Sequence, residues 1–187
     1  LRRRRQLPRR YAALPSVASA ADQGTVRFLH AAPGAPAVDV WVNGNKAVSR
    51  LGRGKITYKD GSIYEGNWVA GVIEGQGIAR YANGLVYEGD FKAGRNDGKG
   101  KMTYPDGYSY VGDWKDGNRE GQGVATYADG TVYTGGFVTG QREGQGEIVM
   151  KDGFRYTGGW KAGEIDGKGV ATYANGDIYE GMFSAGK

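Results

Sequence analysis

Residues able to do chemistry are few along this chain and thinly spread. The single histidine, His30, has no evident Ser or Asp partner, and a polar residue at a strand end accounts for it. Residues 94–99, GRNDGK, and 163–168, GEIDGK, have the outline of a phosphate loop. Three residues rather than four separate their glycines, however, and glycine follows the lysine where Ser or Thr would hold magnesium. Asp-Gly recurs, yet a calcium loop gathers several oxygen ligands, whereas these aspartates stand alone, ~23 residues apart. Glu74, Asp97, Glu120, Glu143 and Asp166 are equally solitary, and turn chemistry explains both sets. With no cysteine there is no thiolate chemistry either. The chain therefore reads as no enzyme, without cofactor, metal or catalytic residue. What remains is aromatic and basic: rings that could stack on a partner, and arginines that could meet phosphate.

The rings belong to a repeat. YANGLVYEGDF at 81–91 returns as YANGDIYEGMF at 173–183, ninety-two residues later, which is four steps of twenty-three. Six repeats run without insertion: 52–74, 75–97, 98–120, 121–143, 144–166 and 167–187. Glycine fills positions 1, 3, 10, 15 and 20 of each, which explains a content of 35 in 187 where ordinary proteins have about 7%. Position 9 is Asp or Asn before the glycine of position 10, as in Asp60-Gly61, a pair favouring the positive φ angles of tight hairpin turns. Each repeat is thus expected to be a β-hairpin. Tyr64, Gly66 and Trp68 alternate on its second strand and so share a face, as do Gly54, Ile56 and Tyr58 on its first. Glycine between two rings leaves space that a β-carbon would obstruct. A second period of 46 is superimposed: position 17 alternates Trp and Phe, while position 5 alternates large (Ile56, Met102, Ile148) and Ala (79, 125, 171).

The pattern Y-x-D/N-G-x-x-Y-x-G-x-W/F-x-x-G, with its G-x-G lead, resembles the MORN (membrane occupation and recognition nexus) repeat over residues 52–187. Met150, Gly136 and Gly159 are mild departures from it. The resemblance implies an all-β fold, an elongated single twisted antiparallel sheet of six consecutive hairpins. Twelve strands at ~4.8 Å would extend ~58 Å. It also implies protein assembly, with phospholipid association as a proposed companion. Arrays resembling this one precede lipid-kinase and methyltransferase domains, so an alternative is the regulatory segment of a larger enzyme such as a phosphatidylinositol phosphate kinase-like protein. An exported envelope protein binding glycans through its rings is a further alternative.

A lone sheet leaves one face uncovered, and no segment of 52–187 reads as an amphipathic helix to cover it. The expected partner surface is accordingly the ring face: Tyr64, Trp68, Tyr87, Phe91, Tyr110, Trp114, Tyr133, Phe137, Tyr156, Trp160, Tyr179 and Phe183.

Charge is unevenly placed. Residues 1–51 hold nine Arg and Lys against Asp22 and Asp39, a net +7, whereas sixteen basic and eighteen acidic residues leave the repeats at −2. No nucleic-acid partner is expected for such repeats. Residues 1–24 read as a basic, disordered tail or a signal remnant, with Ala18-Ser19-Ala20 as an A-x-A site. Arg2, Arg3, Arg4, Arg5, Arg9 and Arg10 are the candidates for anionic phospholipid. Membrane-peripheral, exported and cytoplasmic locations all stay open. Residues 25–51 read as a short β segment able to cap the first repeat, with VDVWV ending in Asn43-Gly44; 25–48 resembles the opening of an immunoglobulin-like domain of bacterial exported proteins. At the other end DIYEGMF carries neither proline nor lysine to blunt an edge, so a homodimer through this C-terminal strand is expected.

Overall fold

The computed structural model describes residues 41–42, 45–46, 52–69 and 71–186. The arginine tail, His30, the A-x-A site and most of the 25–51 segment, with its proposed capping role, lie outside the described residues. Strands β1 (Trp41–Val42) and β2 (Asn45–Lys46) pair antiparallel in a sheet of their own, the strand pair that VDVWV-Asn-Gly predicts.

Twelve further strands form one antiparallel sheet in strict sequence order: β3 (Arg53–Thr57), β4 (Ile63–Val69), β5 (Val72–Arg80), β6 (Val86–Lys92), β7 (Arg95–Thr103), β8 (Ser109–Lys115), β9 (Asn118–Thr126), β10 (Val132–Val138), β11 (Gln141–Val149), β12 (Arg155–Lys161), β13 (Glu164–Thr172) and β14 (Ile178–Phe183). The all-β hairpin array expected from the repeat is the fold.

The two kinds of connection exchange the roles the sequence assigns them. At Tyr58–Ser62 the Tyr58 carbonyl accepts from Gly61 N–H at 3.0 Å, and Tyr58 N–H donates to the Ser62 carbonyl at 2.8 Å. Gly61 has φ +88°, while Asp60 is not among the residues of positive φ. This is a three-residue loop closed by a left-handed glycine, not a two-residue turn. The aspartate acts instead as an acceptor within the loop, its Oδ1 taking the N–H two residues on, at 2.9 Å from Ser62. Asn83, Asp106, Asp129, Asp152 and Asn175 repeat that bond, between 2.8 and 3.2 Å. The two-residue turns lie between repeats. Ala93, Asp116, Thr139, Ala162 and Ala185 each take φ between 47° and 50°, followed by a glycine also at positive φ, which is the two-residue geometry that matches sheet twist.

These inter-repeat turns are bonded along the array. Gly94 N–H donates to the Ile73 carbonyl at 3.0 Å, and the Ala93 N–H donates to Glu74 Oε2 at 3.0 Å. Asp97, Glu120 and Glu143 serve Asp116, Thr139 and Ala162 in the same way. Four of the five solitary acids, Glu74, Asp97, Glu120 and Glu143, are thus turn acceptors, each serving the next such turn along the chain.

Each junction between repeats also carries a bulge. Gly66 pairs with Gly77 and Trp68 with Ile73, so Asn67 alone faces Glu74, Gly75 and Gln76. The same shift recurs at Gly89/Phe91, Gly112/Trp114, Gly135/Phe137 and Gly158/Trp160. Bulges bend a strand and sharpen its twist. Five of them recur along the sheet, whose ring face is buried among its own side chains with no second layer among the described residues.

Candidate functional site

Between Gly54 on β3 and Gly181 on β14, every strand contributes one glycine to a single row crossing the sheet, paired Gly66↔Gly77, Gly77↔Gly89, Gly89↔Gly100 and so on. On this bare backbone lie the position-13 tyrosines. A β-carbon on Gly77 would stand 2.5–2.7 Å from atoms of the Tyr64 phenol, and one on Gly100 2.3–2.6 Å from the phenol of Tyr87. Each phenolic O–H then reaches past the glycine to donate to the carbonyl three residues on: Tyr64 to Asn67, Tyr87 to Asp90, Tyr110 to Asp113, Tyr133 to Gly136 and Tyr156 to Gly159, at 2.9–3.0 Å.

The position-17 rings fit between these tyrosines. Trp68, Tyr64, Phe91, Tyr87, Trp114, Tyr110, Phe137, Tyr133, Trp160, Tyr156, Phe183 and Tyr179 form one edge-to-face chain, with successive centroids 4.9–5.7 Å apart and planes crossing at 78–88°. That geometry suits the ring quadrupole. The rings expected to meet a partner meet each other. The ten from Tyr64 to Trp160 are buried and offer no free face to a peptide, sugar or lipid tail; Tyr179 is exposed and Phe183 half-buried at the end of the chain of rings. Burial pushes the phenols up, to about 12 for Tyr110 and Tyr133. A neutral, hydrogen-bonded phenol is structural, not acid–base, equipment.

Two residues that the sequence did not single out cover these rings. Arg119 sets its guanidinium 5.4 Å from the centroid of Phe137 and 5.7 Å from those of Tyr108 and Tyr110. Arg142 lies 4.3 Å from Trp160 and 5.6 Å from Tyr133. Both also donate to the carbonyl of the next inter-repeat turn, Gly140 or Gly163, which holds the guanidinium plane against the rings. Their position, 22, reads Ile73, Asn96, Arg119, Arg142, Ile165, so no periodicity marks it.

A second, smaller aromatic row follows the three-residue loops. Tyr104, Tyr108 and Tyr127 stack with centroids 5.0 and 5.2 Å apart. Farther along, Met150 stands where a tyrosine is usual and Asp177 where Tyr108 or Phe154 stands in sister repeats. There the row opens into a cleft of about 710 Å³, lined by Met150, Phe154 and Tyr173 with Asp152, Asn175 and Asp177. Among the described residues no group of three or more His, Cys, Asp and Glu is placed to hold a metal.

The profile of the MORN repeat matches residues 50–63, 64–86, 87–107, 110–132, 133–155 and 156–178, well over half of the chain. The chain belongs to the MORN repeat family. From the second match onward the family's MORN unit starts near the position-13 tyrosine rather than at the position-1 glycine. In a meander where every strand pairs with both sequence neighbours, the two phases describe the same sheet.

The departures from the MORN pattern have structural reasons. Met150 enters its loop through backbone groups alone, accepting from Gly153 N–H at 3.1 Å and donating to the Phe154 carbonyl at 2.8 Å, so a ring is dispensable there. Gly136 and Gly159 let the neighbouring strand approach closely: with the backbone as it stands, a β-carbon would sit 2.2 Å from the Glu143 carbonyl oxygen or 2.1 Å from that of Asp166.

No curated protein matches the chain. Among solved structures it is similar to the SAS-4 (dCPAP) TCP domain of Drosophila melanogaster, in complex with a proline-rich motif of Ana2 (dSTIL), at 15% identity over 95% of this chain and 99% of that one, with a TM-score of 0.49. It is also similar to the wild-type TCP10 domain of Danio rerio CPAP at 18% identity, over 70% of this chain and 78% of that one, with a TM-score of 0.27. Neither likeness bears on function at these values.

Proposed function

We propose that this MORN array is a non-catalytic binding and scaffolding module for protein assembly, and that a protein partner docks at the cleft between its last two three-residue loops. One observation carries the reading. Ten of the twelve rings that could have formed a contact face are spent on the array's own core, while Met150 and Tyr173 stay exposed beside a half-buried Phe154. Asp152 and Asp177 edge the same cleft, so the partner that fits is a segment pairing an apolar side chain with a basic one. The family's link to protein assembly supports this reading.

A photo-crosslinking residue placed at Tyr173 in cells tests it. The expected result is an adduct with one discrete protein, lost in Asp177→Lys and absent when the crosslinker replaces exposed Lys101 on β7. Adducts of equal pattern at both positions would overturn it.

A second reading rests on the six arginines among the first ten residues, a cluster suited to an anionic phospholipid surface. In that arrangement the tail supplies the attraction, and the net-acidic repeats present the scaffold beside the membrane.

A further inference from the structure

Among the described residues β14 is an edge strand of the sheet, and its rings are open on one side. Ile178 and Met182 are each 70% exposed, and Tyr179 is 45% exposed, whereas its counterpart Tyr87 is 0% exposed. What buries Tyr87 is the neighbouring β7, which sets Met102 opposite its ring and Gly100 beside it. Among the described residues no strand pairs with the outer edge of β14, or with the outer edge of β3 at the other end of the sheet.

The two edges match. Inside the array, Val86-Tyr-Glu-Gly89 on β6 pairs with Gly100-Lys-Met-Thr103 on β7, in the register Val86↔Thr103, Tyr87↔Met102, Glu88↔Lys101, Gly89↔Gly100. β14 carries Ile178-Tyr-Glu-Gly181, and β3 carries Gly54-Lys-Ile-Thr57. Laid in the same register, they set Ile178 against Thr57, Tyr179 against Ile56, Glu180 against Lys55 and Gly181 against Gly54. Each pair repeats its internal counterpart in size and charge. The 46-residue alternation also stays in phase, because the sixth repeat is of the Phe type and the first, with Trp68 and the large Ile56, is the type that follows it.

We infer that β14 of one copy pairs antiparallel with β3 of a second copy, head to tail, so that the sheet continues from molecule to molecule. The occupant of the β14 edge is thus a second copy of this chain. This goes beyond the partner-binding reading and does not depend on it, since the cleft and the edge are separate surfaces.

The same comparison argues against a symmetric homodimer paired about Gly181, the arrangement that the edge composition alone points to. Pairing β14 with itself about Gly181 sets Tyr179 against Phe183, where the array always places an aliphatic side chain opposite that tyrosine. A head-to-tail contact is heterologous and propagates, whereas a self-paired edge stops at two copies.

Sedimentation velocity on the full 187-residue chain over a concentration series tests this. The expected result is a growing ladder of species beyond the dimer. Glu180→Lys and Lys55→Glu each weaken association about fivefold, since an opposite-charge cross-strand pair becomes a like-charge one. An equimolar mixture of the two variants restores it, because each variant's β14 then meets an opposite charge on the other's β3. Matched thermal melts show that both variants fold. A monomer at all concentrations, growth that halts at the dimer, indifference to Lys55→Glu, or a mixture no better than the single variants would each overturn the proposal.

Discussion

The phenol of Tyr110 lies directly on the backbone of Gly123: a β-carbon there would come within 2.4 Å of the ring's Cε2 and of its hydroxyl oxygen. The contact is between a side chain and a neighbouring strand's main chain, so the tyrosine cannot shift without leaving its bond to the Asp113 carbonyl.

Gly112→Val and Gly123→Ala follow from this contact. On Gly112 a β-carbon would sit 2.5 Å from the Gln122 carbonyl oxygen and 2.6 Å from the Gly123 Cα, so backbone as well as ring obstructs it. Overpacking costs ~1–3 kcal/mol, and both variants should reach at least the upper part of that range. Thermal melts of both against wild type check this, with Gly94→Ala as the comparison, since nothing lies within 4 Å of a β-carbon there although its φ is positive.

Thr139 holds φ +47°, a left-handed conformation that a β-branched residue adopts under strain. Its N–H bond to Glu120 Oε2, at 2.9 Å, is made by the backbone and survives substitution. Thr139→Asn should therefore stabilise by ~0.5–1 kcal/mol. Chemical denaturation should show a raised midpoint with an unchanged slope.

The buried tyrosines set an alkaline limit. Burial raises Tyr110 and Tyr133 to about 12 in the folded chain, against ~10 for an unfolded tyrosine. The neutral phenol is thus the form the fold prefers. Its contribution is complete below pH ~10 and is lost as pH rises through about 12, because the unfolded chain releases those protons first. Phenolate absorbance followed alongside circular dichroism should show the buried tyrosines titrating together with loss of the sheet signal. Their titration in an intact sheet would refute this account.

Binding to anionic vesicles should run through the tail. Replacing Arg2, Arg3, Arg4, Arg5, Arg9 and Arg10 by Gln in the full chain should abolish sedimentation with phosphatidylserine vesicles, and raised salt should weaken the wild type steeply. Unchanged binding by the six-fold variant would assign the attraction to the repeats.

Strand number, strand order and face were legible in the sequence because each is a local property. The glycines at positions 3 and 15, with Tyr at 13, mark which residues share a face, and a 23-residue step without insertions leaves a meander as the simplest path. The two connections were not told apart, since both read as a small polar or apolar residue before glycine. Asp60-Gly61 closes a three-residue loop and Ala93-Gly94 forms a two-residue turn, and which one forms depends on where the flanking strands stop pairing. The fate of the rings was likewise a tertiary decision. Tyr87 and Tyr179 sit in the same motif, yet one is sealed and the other open, because sealing needs a glycine-bearing strand on the far side. Arg119 and Arg142 belong to the same class: each guanidinium lies on Phe137 or Trp160 of the following hairpin, a contact between strands that the reading of a single repeat does not reveal.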